Sequence, residues 1–289
     1  MFSKTLVSVA IASAAIAFGA NALACSTIIV GKDVSKTGTV IIGHNEDNGG
    51  RIIAQQHWVP AQTHKAGEMI KFEKSAAEIP QAEKTIGFYW TQTFSPTGAS
   101  FSDGFVNEKG VTIVCNACSQ IFPENKEKVK DGGVGYGIRR IMAERATTAR
   151  EAIKIATDLL DKYGYFSNGR TYTIADPNEV WQLAIHQGNK WVARKVKDNE
   201  VVYIPNNFMM NKVDGSDKDG VMVSPGLVEN AIKDRKYKPA VEGQWTDFNF
   251  REAYQPAKLR EAQYNFSRNQ NDWKKITGKT FNSADEFPY

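Results

Sequence analysis

The order of secondary-structure signals along the chain predicts an α+β fold in which helices pack on antiparallel sheet. Three observations carry this expectation. Short β-rich runs fill the sequence to about residue 116, two helical segments occupy its middle, and alternating strands return from about residue 171. The 289 residues, 42% hydrophobic and 11% aromatic, suffice for one large domain or two small ones with a real core, which excludes a disordered chain.

The first runs are STIIVGK, GTVIIGH, IGFYWTQT and GVTIVCNA, with turn signals at Lys36-Thr37-Gly38 and Asn107-Glu108-Lys109-Gly110. The spacing of Ile138, Ile141 and Met142 then predicts a helix over 135–145. A second helix starts at Thr148, whose hydroxyl has capping-box spacing to Glu151. It turns Ile153, Ala156, Leu159 or Leu160 and Tyr163 inward and stops at Gly164. TYTIAD, VWQLAIH, KWVARKV and EVVYIP read as further strands, separated by turns at Asp176-Pro177-Asn178 and Gly188-Asn189. From about 210 to 289 the chain is loop-rich, with a short helix expected after Ser224-Pro225.

Residues 1–24 read as a secretory signal peptide. Lys4 supplies the positive start, an apolar run follows from Leu6 to Phe18, and Ala22-Leu23-Ala24 has the small-x-small pattern of a cleavage site. The run is too short to span a membrane and no longer one follows. The expectation is an exported protein, periplasmic or extracellular, with 25–289 forming a single domain. Basic residues outnumber acidic ones 36 to 32, and the one basic run is KEKVK at 126–130. That excess is too mild to recruit nucleic acid. Oligomerisation is compatible with this composition.

Cleavage after Ala24 would make Cys25 the N-terminal residue, and three readings of it compete. It can be a strand-start residue that happens to follow a cleavage site. It can be a lipoprotein cysteine, although such signals want a branched apolar residue three positions before the thiol, where this chain has Ala22. Or it can be a nucleophile whose own α-amine, with a pKa of about 7.7–8.0, takes the thiol proton and later gives it to the leaving nitrogen of an amide. In that third case one residue supplies both nucleophile and base, and signal removal is the activation step.

Several stretches in one order resemble a known family. They are Cys25-Ser26-Thr27-Ile28-Ile29-Val30-Gly31-Lys32, His44-Asn45-Glu46-Asp47, Asn107-Glu108-Lys109-Gly110-Val111, Ala175-Asp176-Pro177, Gly188-Asn189-Lys190-Trp191, Asn206-Asn207-Phe208, Ser224-Pro225-Gly226-Leu227-Val228 and Tyr264-Asn265-Phe266-Ser267-Arg268. Together they are similar to the N-terminal-nucleophile (Ntn) cysteine dipeptidases of the PepD type, more distantly related to penicillin V acylases and bile salt hydrolases.

The resemblance implies a four-layer Ntn-hydrolase sandwich, two antiparallel sheets between helix layers, and hydrolysis of small peptides without metal or organic cofactor. It implies Cys25 as nucleophile, Asp47 as the carboxylate that holds its amine, and Asn206 as an oxyanion-hole donor. Asn116, at the end of GVTIVC, is the second donor by a looser match, and Arg268 falls near an arginine that lines the site. Two departures stand out. The family has arginine where this chain has His44, and a histidine favours a neighbouring thiolate only while protonated. Family members also continue past the point where this sequence ends, so a short or truncated member is expected. Two alternatives remain open: an acylase of non-peptide amides such as penicillin V or bile salts, and a secreted or lipid-anchored binding protein that keeps the fold without the activity.

Other candidates carry blander expectations. Cys115 and Cys118, three apart, would point to opposite faces of one strand unless that strand ends between them, and read chiefly as structural thiols, with a disulfide or redox activity as the alternatives. No second ligand pair accompanies them for zinc. His186 reads as a strand-end histidine, and His57 and His64 as residues of a polar loop region. DGSDKDG at 214–220 lacks the closing Glu of a calcium loop and reads as a solvated turn. Trp181 and Trp191 read as core.

Overall fold

The structure, a computed structural model, describes residues 25–46, 55–94, 100–118 and 129–288. The proposed signal segment and Asp47 lie outside these residues. Strands β1 (Ser26–Val30), β2 (Ile41–Asn45), β3 (Gln55–Val59), β4 (Met69–Ile70), β5 (Ile79–Pro80), β6 (Phe88–Phe94), β7 (Ser100–Asn107) and β8 (Thr112–Ala117) come first. Helices α1 (Ile138–Arg145) and α2 (Ala149–Tyr163) follow. Then come β9 (Arg170–Ala175), β10 (Val180–His186), β11 (Lys190–Val196), β12 (Val201–Ile204) and β13 (Val221–Val223). The chain closes with α3 (Leu227–Lys233), α4 (Phe250–Tyr254), α5 (Ala257–Arg260) and α6 (Gln263–Thr277).

Local chemistry explains the central helices. Thr148 caps α2 by accepting the Glu151 amide at 3.1 Å, while the Glu151 carboxylate reaches back to the Thr147 amide at 2.7 Å, one residue further than a standard capping box. Ile153, Ala156, Leu160 and Tyr163 are buried at the expected helical spacing, and Leu159 is only half-buried. Gly164, at φ 75°, ends the helix in a conformation that a side chain would strain.

Two antiparallel sheets build the body. The larger runs β13-β11-β10-β9-β8-β7-β6-β3 and the smaller runs β12-β1-β2. Alternation along the larger sheet turns Ile113, Cys115, Tyr172, Ile174, Trp181, Leu183 and Ile185 toward the buried faces of α1 and α2, forming the main core. Each such aliphatic side chain contributes roughly 1.5–3 kcal/mol when removed from water. The opposite face presents Asn116 to the smaller sheet. Ile29, Val202 and Ile204 of that sheet pack with Ala175, Val180 and Val196 of the larger one. On its outer side, a cavity of about 400 Å³ separates Ser26, Ile28 and Tyr203 from Asp272, Lys275 and Ile276 of α6. The layers therefore run helices, large sheet, small sheet, helix, which is the four-layer α+β sandwich that the sequence resemblance implies.

Three details differ from the sequence reading. First, the alternating strand after Cys25 suggests a place at a sheet edge, whereas β1 is the central strand of its sheet and Cys25 sits at its end, with the β1 backbone paired on both sides. Second, His57 lies on β3, its ring 5.5 Å from that of Trp90, although the polar flanks of that run suggest a loop. Third, the stretch expected to be loop-rich also holds the 15-residue α6. Its Asn265, Asn269 and Trp273 form a buried stripe whose two polar members hide the apolar periodicity. Among the described residues, no helix is long and apolar enough to cross a membrane.

Candidate active site

Cys25 directly precedes β1 and is 1% exposed. β1 alternates, so Thr27 and Ile29 share the inner face while Ser26 and Ile28 face outward. Thr27 lies opposite His44 on β2 and opposite Ile204 on β12, so one row across the sheet carries all three on the inner face. Above that row stands Asn116 of β8.

Arg268 is the residue that closes the site. From α6 it donates through Nη2 to the Cys25 carbonyl at 2.6 Å and through Nη1 to Asn206 Oδ1 at 3.0 Å. One planar guanidinium thus fixes both the backbone of the predicted nucleophile and the carboxamide of a predicted oxyanion donor, a two-pronged contact that lysine could not reproduce. The phenol of Tyr203 lies between Arg268 and Asp272. Burial, then the nearby Asp272 carboxylate, push it above the ordinary phenol range, against the pull of Arg268.

The two asparagines are held alike. Asn206, two residues past β12, gives one amide N–H to the Ala117 carbonyl at 3.1 Å while its oxygen accepts from Arg268. Asn116 gives one N–H to the Ile204 carbonyl at 3.1 Å while its oxygen accepts from the Thr27 hydroxyl at 2.6 Å. A primary amide has two N–H donors, so each asparagine, held by one bond from its nitrogen and one to its oxygen, retains one N–H to offer. Both are buried and oriented donors, the kind of group that could stabilise a developing oxyanion. The structure thus brings together Cys25, Asn206, Asn116, Arg268 and His44 from five separated stretches of sequence.

His44 contacts Thr27 on the neighbouring strand. Its Nδ1 is 2.8 Å from Thr27 Oγ1, and its Nε2 lies 3.4 Å from the Glu46 carboxylate. It reaches the site through Thr27. Asp47 lies outside the described residues.

Of the remaining candidates, Cys118 lies near Cys25 and next to Ala117, the residue that accepts from Asn206, while the histidines and Asp214 make contacts of their own elsewhere. His186 is buried against Tyr254, and His64 bonds Glu68 at 3.0 Å. Cys115 and Cys118 are buried, free thiols on opposite faces of the large sheet. Burial pushes the Cys118 thiol up to about 12 despite its contact with the Thr171 hydroxyl. Asp214 accepts from the Ser216 amide and hydroxyl, the bonding of a solvated turn. Among the described residues no cluster could hold a metal ion. Trp181 is core, and Trp191 donates its indole N–H to Asp161 at 2.8 Å.

The model for Peptidase family C69 matches residues 24–288. The chain belongs to that family. This C69 chain is 26% identical over 253 residues to a probable dipeptidase of Latilactobacillus sakei, covering 85% of the chain and 51% of the relative. It is 27% identical over 257 residues to a dipeptidase of Bifidobacterium longum, covering 80% and 46% respectively. The chain therefore spans about half the length of the curated relatives it matches. Among solved structures, a variant of conjugated bile acid hydrolase from Clostridium perfringens aligns with a TM-score of 0.36 at 12% identity, over 90% of this chain and 75% of that one. Penicillin V acylase from Agrobacterium tumefaciens aligns at 0.35 and 8%, over 72% and 55%. Likeness at that level is too loose to bear on the chemistry.

Sequence reasoning assigned no role to Thr27 or Glu46 in this C69 chain. Both stand within stretches that carry the family resemblance, but only the strand register shows that they bracket His44. Asn207 was likewise passed over. It is 1% exposed and neither its Nδ2 nor its Oδ1 has a partner among the described residues, which marks it as a polar group beside Asn206 with unused hydrogen-bonding capacity.

Proposed function

We propose that this protein is an exported cysteine peptidase that hydrolyses dipeptides, with Cys25 as nucleophile once signal cleavage has made it N-terminal. The observation that carries the reading is the Arg268 clamp: a guanidinium from α6 joins the Cys25 carbonyl to Asn206, and the Asn116 carboxamide is held on the neighbouring strand. In the reaction, the free α-amine of Cys25 takes the thiol proton and the thiolate attacks the peptide carbonyl. The N–H groups kept by Asn116 and Asn206 receive the developing oxyanion, each worth roughly 3–4 kcal/mol in the transition state. The protonated amine then donates to the leaving nitrogen, and water resolves the thioester by the same steps in reverse. Asp47 is assigned to hold the amine. Removal of residues 1–24 on export would generate the amine without self-cleavage.

Intact mass of the exported protein tests the activation step. A free N-terminal Cys25 supports the reading, and a lipid adduct or any other start defeats it. A dipeptide panel run with wild type, Cys25→Ser and Cys25→Ala tests the chemistry; equal hydrolysis by all three would remove Cys25 from the mechanism.

A further inference from the structure

The hydrogen bonds between the two sheets form a chain with a fixed direction. The Ile204 carbonyl can only accept, so the group facing it at 3.1 Å is the Asn116 amide nitrogen, and the Asn116 oxygen must face Thr27. An amide oxygen can also only accept, so the Thr27 hydroxyl spends its one proton on Asn116 at 2.6 Å. With that proton committed, Thr27 Oγ1 can meet His44 Nδ1 at 2.8 Å only as an acceptor. His44 must therefore carry a proton on Nδ1. On the far side of the ring, buried Nε2 makes no hydrogen bond yet faces the Glu46 carboxylate at 3.4 Å.

These constraints distinguish the ring's three states. The neutral Nδ1–H form satisfies Thr27 but turns a lone pair toward a carboxylate. The neutral Nε2–H form satisfies Glu46 but draws the Thr27 proton onto Nδ1 and away from Asn116. The imidazolium alone satisfies both ends. A carboxamide whose oxygen accepts a hydrogen bond is also a stronger N–H donor, because bonds in a chain polarise one another. Protonation of His44 thus acts, two residues away, on the N–H that Asn116 keeps for the oxyanion.

We propose that His44 is a positioning residue which, through Thr27, orients and polarises Asn116, and that only its protonated form completes the network. The catalytic consequence rests on the dipeptidase reading; the network does not. The groups at the His44 ring are Thr27 on β1 and Glu46 just past β2; Tyr203 on β12 and Asp272 and Lys275 on α6 line the cavity on the outer side of the sheet, which β2 also borders at His44. Glu46 is the charged group within ion-pair range of the ring.

The test has two arms. In the first, the mature protein is prepared with isotope-labelled histidine, the His44 signal is assigned with His44→Gln, and its ring nitrogens are followed by NMR between about pH 5 and pH 9, the range over which histidines titrate. If Thr27 accepts from His44, Thr27→Val removes a partner of the charged ring and moves the His44 midpoint down, and Thr27→Ser restores it. A raised midpoint in Thr27→Val would mean that Thr27 donates, and an unchanged one that Thr27 does not favour the charged ring; the proposal fails on either result. In the second arm, kcat and KM are measured on a dipeptide over the same range. His44→Arg should raise the ratio of kcat at high to low pH by about tenfold, less than the ~10²–10³ lost on deleting an oxyanion donor, with KM unchanged. The same profile in both proteins would overturn the catalytic link. If the titration behaves as expected and no dipeptide is hydrolysed by the wild type, the function is wrong and the network stands.

Discussion

Arg268 donates to the backbone carbonyl of Cys25 at 2.6 Å across 243 residues of sequence, and through its other terminal nitrogen it holds the Asn206 side chain. The position of Cys25 is thereby tied to α6. On the proposed reading of Cys25 as nucleophile, orientation of the attacking group is worth several kcal/mol, and the clamp serves the chemistry as well as the fold.

Arg268→Ala should lower kcat/KM by one to two orders of magnitude, since a hydrogen bond to a charged group contributes about 1.5–3 kcal/mol. Arg268→Lys should recover little of this, because a single ammonium cannot span Cys25 and Asn206 together. Steady-state kinetics alongside thermal unfolding separates the catalytic loss from instability. A lysine variant with near wild-type kcat/KM would show that charge alone matters at this position.

Deleting either retained N–H should act on kcat more than on KM. Asn116→Ala and Asn206→Ala are each expected to reduce kcat by about 10²–10³. Asn206→Asp keeps the contact with Arg268 but removes both N–H groups and sets an oxygen against the Ala117 carbonyl, so it should be less stable than wild type and at least as impaired as the alanine variant, with urea unfolding separating the two effects.

Cys118 should resist alkylation in the native state. Burial holds its thiol at about 12, so near about pH 8 almost no thiolate forms, and thiolate is the reactive species. Iodoacetamide followed by peptide mapping should leave Cys118 unmodified in native protein and modify it fully in denaturant. Added reductant should not change the mass, as neither Cys115 nor Cys118 is in a disulfide.

Leu160→Ala should cost about 2–5 kcal/mol of stability, the range for emptying a fully buried leucine site. Leu160 packs in the core between α2 and the large sheet, on the side away from Asn116, so kcat/KM per folded molecule should stay near wild type. Urea unfolding and active-site titration with a thiol reagent measure the two quantities separately.

Much of this molecule was legible residue by residue. The capping of α2 by Thr148 and its stop at Gly164 depend on groups within a few positions of one another, as do the alternating strands β8 to β12. The opposite facing of Cys115 and Cys118 follows from the period of a strand. By contrast, α6 was hidden because its buried stripe is built from Asn265, Asn269 and Trp273. His57 was misread because its strand has polar neighbours and gains its apolar contact, Trp90, only from β6.

The sequence by itself determined the local elements, the unusual standing of a cysteine behind a cleavage pattern, and the identity of Asn116, Asn206 and Arg268 as candidates. These are carried by short-range period, capping and motif order. The tertiary structure alone decided that β1 lies in the middle of its sheet, that Thr27 faces both His44 and Ile204, and that Arg268 reaches Cys25. Register is set by which faces of two sheets can be buried together, a condition on the whole core that no single segment encodes. The same condition sets His44 against Thr27, and so makes it a titratable support for Asn116.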